Sequence, residues 1–307
     1  MEKFIITAAL SGAIHTPTMS PHLPVTPDEL ANESRRAYEA GASVVHVHAR
    51  NPESGQPSAS GSLFGEILNK IKSHCDAVIC TTTGGGFGMT VEERVRVVKT
   101  YSPELASLNA GSLNFALHPI LSKIKTFKYD WEAEYLAMSE DFIFPNTFKT
   151  LREFSECFAE EDTKPEFEIY DAGMLNNVAF LLQTANIKKP VYLQFVLGIL
   201  GGMQATVNNL VFLYNSAREI FGHDFVWSVC AAGKNQFKMC NAALLMDGFT
   251  RVGLEDNLYL EKGRLAQSSG EQVEKIVRIA RELGLESATP EEAREILNLK
   301  GSDQVRF

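Results

Sequence analysis

A closed (β/α)8 barrel is the fold that this sequence predicts, and three observations lead to it. Short β-branched runs alternate with helical patterns through most of the 307 residues. Eight of those runs remain as parallel strands once one short pair is set aside, and polar residues recur where successive runs end. Such alternation implies a parallel sheet with crossover helices. An open sheet would place a ligand at one topological switch point, whereas a barrel gathers function from the C-terminal ends of several strands. Thr81 to Thr83, Asn109, Asp171 and Glu255 with Asp256 stand at such ends, which favours the barrel.

The elements follow in order. "FIITAAL" is the first strand, with a helix expected over 27–40; "ASVVHVHA" precedes a helix over 61–73, and "AVICTTT" one over 90–100. "LASLNA" is the fourth strand, and the passage after it is less regular. There, "GSLNF" at 111–115 and "DFIFPN" at 141–146 lack a good crossover helix between them and read as a small antiparallel pair outside the barrel. A helix near 147–160 leads to "FEIYDAG", one over 172–185 to "VYLQFVLG", and one over 204–220 to "FVWSVCAAG". A helix over 234–247 then leads to "TRVGLED". The expected organisation is an α/β TIM-barrel catalytic domain over 1–262 with a C-terminal helical extension, 263–307, packed on it.

Composition narrows the function classes. A net charge of −9 argues against general nucleic-acid binding, which needs a basic excess. Five cysteines without a CxxC pair give neither a zinc ribbon nor a complete disulfide framework, so a reducing compartment is expected. "MEKFIITAAL" lacks the length and cleavage pattern of a secretory signal, and no uncharged stretch is long enough to span a bilayer. A cytoplasmic protein with no membrane partner is the expectation.

The stretch "VVHVHAR" places His46 and His48 on one face of the second strand, because side chains alternate along a strand. Same-face neighbours lie roughly 7 Å apart at Cα, so two imidazoles leaning inward can converge on one ion. A lone strand histidine is more often structural, and a third ligand is needed. In a barrel the eighth strand closes beside the first, one place from the second, so Glu255 in "RVGLEDN" can complete a His₂Glu site with an open position. The alternative for Glu255 and Asp256 is a solvated loop with a helix-capping aspartate.

Other motifs are less specific. "TTTGGGFG" could bring backbone amides to an anionic group or thioester oxygen, or could simply be a tight turn. It is neither a P-loop nor a dinucleotide fingerprint, and no GxSxG elbow marks a serine nucleophile. "HTPTMSPHLPVTP", His15 to Pro27, is either an active-site lid or a rigid surface connection, with His15 and His22 within it. His74, His118 and His223 are isolated and read as surface residues.

Together these residues resemble one family, the β-keto acid cleavage enzymes, through about Leu260. The likeness rests on "ITAALSGA", "GASVVHVHAR", "TTTGGG", "ASLNAGSLNF", "FEIYDAGML", "LQFVLGILGG" and "TRVGLEDNLYL", in that order. The resemblance implies a barrel holding Zn²⁺ through His46, His48 and Glu255. It also implies an acyltransferase reaction in which a β-keto acid and acetyl-CoA give acetoacetate and a new acyl-CoA. Asp256 would be the base at C2, Arg251 would position that carboxylate and the anionic intermediate, and Thr82 would complete the hydrogen-bond network. Ser112 and Glu168 fall on pocket positions of the family, and Thr83, Gly84 and Gly85 join the expected substrate contacts. A homotetramer is the family tendency.

One departure bears on specificity. The family member acting on an amino-substituted keto acid has a glutamate directly after "GA", where this chain has Ile14 followed by His15. A neutral or apolar substrate tail is expected, or an anionic one met by His15, over a cationic one, although Glu168 argues partly the other way. Two rival functions share these residues. One is a metal-dependent lyase or aldolase that transfers no CoA, and the other is an inactive metabolite-binding barrel.

Overall fold

Residues 3–307 are described by the computed structural model; Met1 and Glu2, which precede the expected first strand, lie outside the described residues. Eight parallel strands close into a barrel: β1 (Ile6–Ala9), β2 (Val44–Val47), β3 (Val78–Thr81), β4 (Leu105–Asn109), β5 (Lys164–Ile169), β6 (Val191–Leu197), β7 (Phe225–Ala231) and β8 (Phe249–Val252). Each strand pairs with the next in sequence, and β8 pairs with β1 through Arg251 opposite Thr7 and Val252 opposite Ala8. All eight strands are buried on nearly every residue, as expected where helices cover the outside and side chains fill the inside.

The helices in chain order are α1 (Pro27–Glu39), α2 (Gly61–His74), α3 (Val91–Tyr101), α4 (Trp131–Met138), α5 (Phe148–Glu160), α6 (Gly173–Thr184), α7 (Val207–Phe221), α8 (Gln236–Leu244), α9 (Ser269–Glu282) and α10 (Pro290–Leu297). Their starts follow local chemistry. Thr26, Thr90 and Thr289 each accept from the backbone N–H three residues on, while Glu29, Glu93 and Glu292 reciprocate, which satisfies N–H groups a helix cannot bond itself. Leu30, Ala31, Ser34 and Ala37 form the buried face of α1, at the spacing of a helix that covers a sheet.

The expected antiparallel pair outside the barrel is present, Leu113–Asn114 against Ile143–Phe144. The passage between them carries α4, which the sequence reading did not anticipate. Trp131, Tyr135, Leu136 and Met138 are apolar around most of that short helix, so it shows no helical stripe. Helix α9 packs against both α8 and α1, the place of the helix that follows β8 in the outer ring. Beyond residue 262 the chain forms a short strand, Arg264–Leu265, then α9 in the outer ring, and α10 and the tail follow. Lys3–Phe4 pairs in parallel with Glu286–Ser287 and fastens this end to the first strand. No helix among the described residues is long and apolar enough to cross a membrane.

Candidate active site

The C-terminal mouth of the barrel holds a cavity of about 330 Å³ whose floor is charged and whose wall is aromatic. The floor is assembled by strand register. Ala9 of β1 stands opposite His46 of β2, and His46 opposite Cys80 of β3. His46 and His48 therefore project inward side by side, with ring centroids 5.2 Å apart.

Glu255 reaches them from the turn that follows β8. Gly253 has a φ of +149°, and a side chain there would strike the Ala9 carbonyl, so this position needs glycine. The Glu255 N–H then donates to Ala9 O (3.2 Å), and the Asp256 and Asn257 N–H groups both donate back to Gly253 O (3.2 and 3.1 Å). Gly233 after β7 donates to Asp256 O (2.8 Å), which ties the turn to its other neighbour. From this tethered turn Glu255 Oε1 lies 3.7 Å from His46 Nε2 and 3.4 Å from His48 Nε2. Gly12 lies so close that a Cβ there would overlap the Glu255 side chain.

Two imidazole nitrogens and a carboxylate oxygen within 4.8 Å of one another suit a divalent ion such as Zn²⁺. Glu255 Oε2 is buried and has no protein partner, so the carboxylate keeps an unsatisfied oxygen beside the one that faces the histidines. Burial holds His46 well below the ordinary histidine range, in the neutral form that ligates metals. Burial would raise Glu255, but Arg251, His48 and His46 together hold it well below the usual carboxylate range.

Arg251 organises the carboxylates. Its Nε donates to Asp256 Oδ2 (2.9 Å) and its Nη2 to Asp256 Oδ1 (3.0 Å) and Glu255 Oε1 (2.8 Å). Its Nη1 donates to Gln194 Oε1 (3.1 Å) and stands 3.7 Å from Glu168 Oε1. Burial raises Asp256 above its ordinary value against the pull of Arg251. Glu168 is pushed up to about 8, again mainly by burial, and accepts from Asn109 Nδ2 (2.7 Å) and the Tyr170 hydroxyl (3.4 Å).

Of the expected substrate contacts, Ile14, Thr82, Gly84, Gly85 and Glu168 line the cavity. Thr82 Oγ1 accepts from the Gly84 N–H (3.0 Å) and shapes the glycine turn. Thr83 and Ser112 do not reach it. In the turn that follows β3, Thr83 is buried and donates to Ser107 O (2.6 Å). Ser112 is exposed and accepts from the Asn146 N–H (2.8 Å). His15 lines the cavity, whereas His22 is exposed. Burial pushes His15 down to about 4, so its ring is neutral, and its Nδ1 donates to Leu254 O (2.9 Å).

The segment from His15 to Pro27 is packed down. Buried Arg50 donates to the Ser11, His15 and Gly55 carbonyls (3.0, 2.7 and 2.8 Å), and Thr18 bonds Glu132 through both its N–H (3.1 Å) and its hydroxyl (2.8 Å). His74 and His223 are exposed as expected, and His118 is half-buried. Sequence reasoning missed the wall. Phe87 meets Tyr135, Phe142 and Phe115 at ring distances of 4.7, 4.6 and 6.4 Å, and Phe115 meets Phe144 and Tyr170 at 6.0 Å each. The aromatic count of "NFALH" and "EDFIFPN" was the available signal.

Comparison with known proteins identifies the family. A family described as beta-keto acid cleavage enzyme matches residues 3–299. The chain is 44% identical over 305 residues to a 3,5-dioxohexanoate:acetyl-CoA acetone transferase of Paraburkholderia graminis, covering 99% of this chain and 98% of the relative. It is 40% identical over 301 residues to a 3-keto-5-aminohexanoate cleavage enzyme of Fusobacterium nucleatum, covering 98% and 99%. A solved complex of ObcA shares the fold, with a TM-score of 0.74 at 20% identity over 91% of this chain and 68% of that one. By a family match over residues 3–299 and by relatives 40–44% identical along nearly all of its length, the chain belongs to the beta-keto acid cleavage enzyme family.

Proposed function

We propose that the protein converts a β-keto acid with a non-cationic tail and acetyl-CoA into acetoacetate and a new acyl-CoA. The observation that carries this reading is the Arg251 fork, which holds Asp256 by two bonds while touching Glu255 beside both histidines. The name of the Paraburkholderia relative, an acetyl-CoA acetone transferase, supports acetyl-CoA as co-substrate.

His46, His48 and Glu255 would hold Zn²⁺, which when bound supplies Lewis-acid polarisation of the substrate keto oxygen. Asp256, oriented by Arg251, takes the proton from C2. Its raised affinity for a proton suits that task, since a base works best near the operating pH. The C2 carbanion attacks the acetyl carbonyl, and CoA leaves as its thiolate. That thiolate adds to the original keto carbon, C2–C3 breaks with its electron pair left on C2, and Asp256 returns its proton to C2, so that acetoacetate departs from the new acyl-CoA. Arg251 and Thr82 face the reacting centre with N–H and O–H donors for the developing oxyanions.

The tail preference has three supports. Ile14 stands on the cavity wall without a charge. Glu168 is neutral below about 8 and offers a cation little, and neutral His15 offers an anion little. The aromatic wall favours apolar groups.

A homo-oligomer, by family tendency a tetramer, fits the exposed apolar side chains Phe148, Phe180, Val211 and Phe212 on α5, α6 and α7, where Phe148 and Phe180 already touch. Five unpaired cysteines suit a reducing cytoplasm. The test is acyl-CoA formation from acetyl-CoA and a panel of neutral, anionic and cationic β-keto acids, with metal content measured alongside. Acetoacetate release that requires acetyl-CoA is expected. Cleavage without acetyl-CoA would make the protein a lyase, and metal without turnover would make it a binding barrel.

A further inference from the structure

Below the two histidines the barrel interior is polar where such barrels usually carry branched aliphatics. Cys80 stands opposite His46 in the strand register, so the two side chains project inward at one level. His46 Nδ1 lies 3.4 Å from Cys80 Sγ, and the Cys80 thiol donates to Glu166 Oε1 at 3.8 Å. All three side chains are buried.

A thiol has one proton. With that proton directed to Glu166, Sγ meets His46 as an acceptor, and Nδ1 must carry the hydrogen between them. A neutral imidazole protonated at Nδ1 keeps its lone pair at Nε2, the atom that faces Glu255. An aliphatic residue at position 80 would leave both the Nδ1–H and the Glu166 carboxyl with fewer partners in a dry interior, which is costly. Cysteine is a small, nearly apolar side chain that can donate and accept at once.

We propose that Cys80 and Glu166 are positioning residues that fix His46 as the Nδ1–H tautomer and so aim its Nε2 lone pair at the His48 and Glu255 donors. The assignment rests on the metal-site reading above and adds a relay beneath it. Partners of this kind orient a ligating histidine, and their loss typically weakens metal binding by about 10–100-fold.

The experiment uses the full chain stripped of metal. Ring ¹⁵N shifts of His46 in the wild type read the tautomer directly, and competition with a chelator reads Zn²⁺ affinity in the wild type, Cys80→Ala and Cys80→Ser. The expected results are an Nδ1–H ring in the wild type, a mixed population in Cys80→Ala, and Zn²⁺ affinity at least about tenfold weaker in Cys80→Ala. Cys80→Ser, whose hydroxyl also donates and accepts, should recover most of the loss. An Nε2–H ring in the wild type would overturn the proposal even if Cys80→Ala failed to fold. Unchanged affinity and unchanged shifts in Cys80→Ala would do the same. His46, Cys80 and Glu166 are also close enough to hold an ion themselves. Uptake of two equivalents of Co²⁺ with thiolate-to-metal absorption would make Cys80 a ligand and overturn the relay. No metal uptake by the wild type would remove the metal reading itself, a result the tautomer measurement keeps separate.

Discussion

Arg251 grips Asp256 with two hydrogen bonds, Nε to Oδ2 at 2.9 Å and Nη2 to Oδ1 at 3.0 Å. Paired forks of this kind fix a carboxylate in direction as well as in place. If Asp256 takes the C2 proton, Asp256→Asn keeps the shape and loses the base. Turnover should fall by about 10²–10⁴-fold, the usual contribution of a general base. Bound metal, measured by elemental analysis, should not change. A variant with a near-normal rate would remove Asp256 from the role.

Gly12 bears on Glu255 by contact alone. Its φ is +58° and a Cβ would overlap the Glu255 side chain, so Gly12→Ala must displace that carboxylate. The expected outcome is reduced metal occupancy with the barrel still folded, read by elemental analysis beside circular dichroism. Glu255→Ala should lower occupancy further. Full occupancy in both variants would refute the ligand assignment.

Ile14 lines the cavity and, on the proposed reading, meets the substrate tail. Ile14→Glu should shift the kcat/KM ratio toward amino-substituted keto acids by roughly tenfold to a hundredfold, the range of a hydrogen bond to a charged group, about 1.5–3 kcal/mol. The measurement is a competition between a neutral and a cationic β-keto acid of equal length. An unchanged ratio would place the tail elsewhere.

Glu168 should make that ratio pH-dependent. Burial raises its carboxyl to about 8, so it is neutral at lower pH and gains a charge as the pH passes that value. A keto acid with a quaternary ammonium tail should therefore improve relative to a neutral one between about pH 7 and about pH 9. Glu168→Gln, fixed in the neutral form, should abolish the change. A flat ratio in the wild type would contradict the raised value.

Much of this was readable before any coordinates. The His46–His48 pair follows from the two-residue period of a strand, and its meeting with Glu255 follows from ring closure. Thr83 and Ser112 were not separable from Thr82 by type, because each hydroxyl had an alternative: a backbone carbonyl for Thr83 and an amide for Ser112. Helix α4 and the aromatic wall escaped for another reason. They lie in a passage without periodicity, and their rings become one surface only through contacts such as that between Phe87 and Phe142. Cys80 and Glu166 were invisible as a pair, since strands β3 and β5 are not neighbours.

The order of strands in the closed ring also dictates the order in which the site can come into being. The histidines arrive on and just after β2, and Glu255 and Asp256 only after β8, the last strand of the barrel. A nascent chain emerging from its N-terminus thus carries an incomplete ligand set until the seam between β8 and β1 is sewn. If His46, His48 and Glu255 hold the metal, its capture is confined to the finished ring, and a chain released before β8 would lack the third ligand.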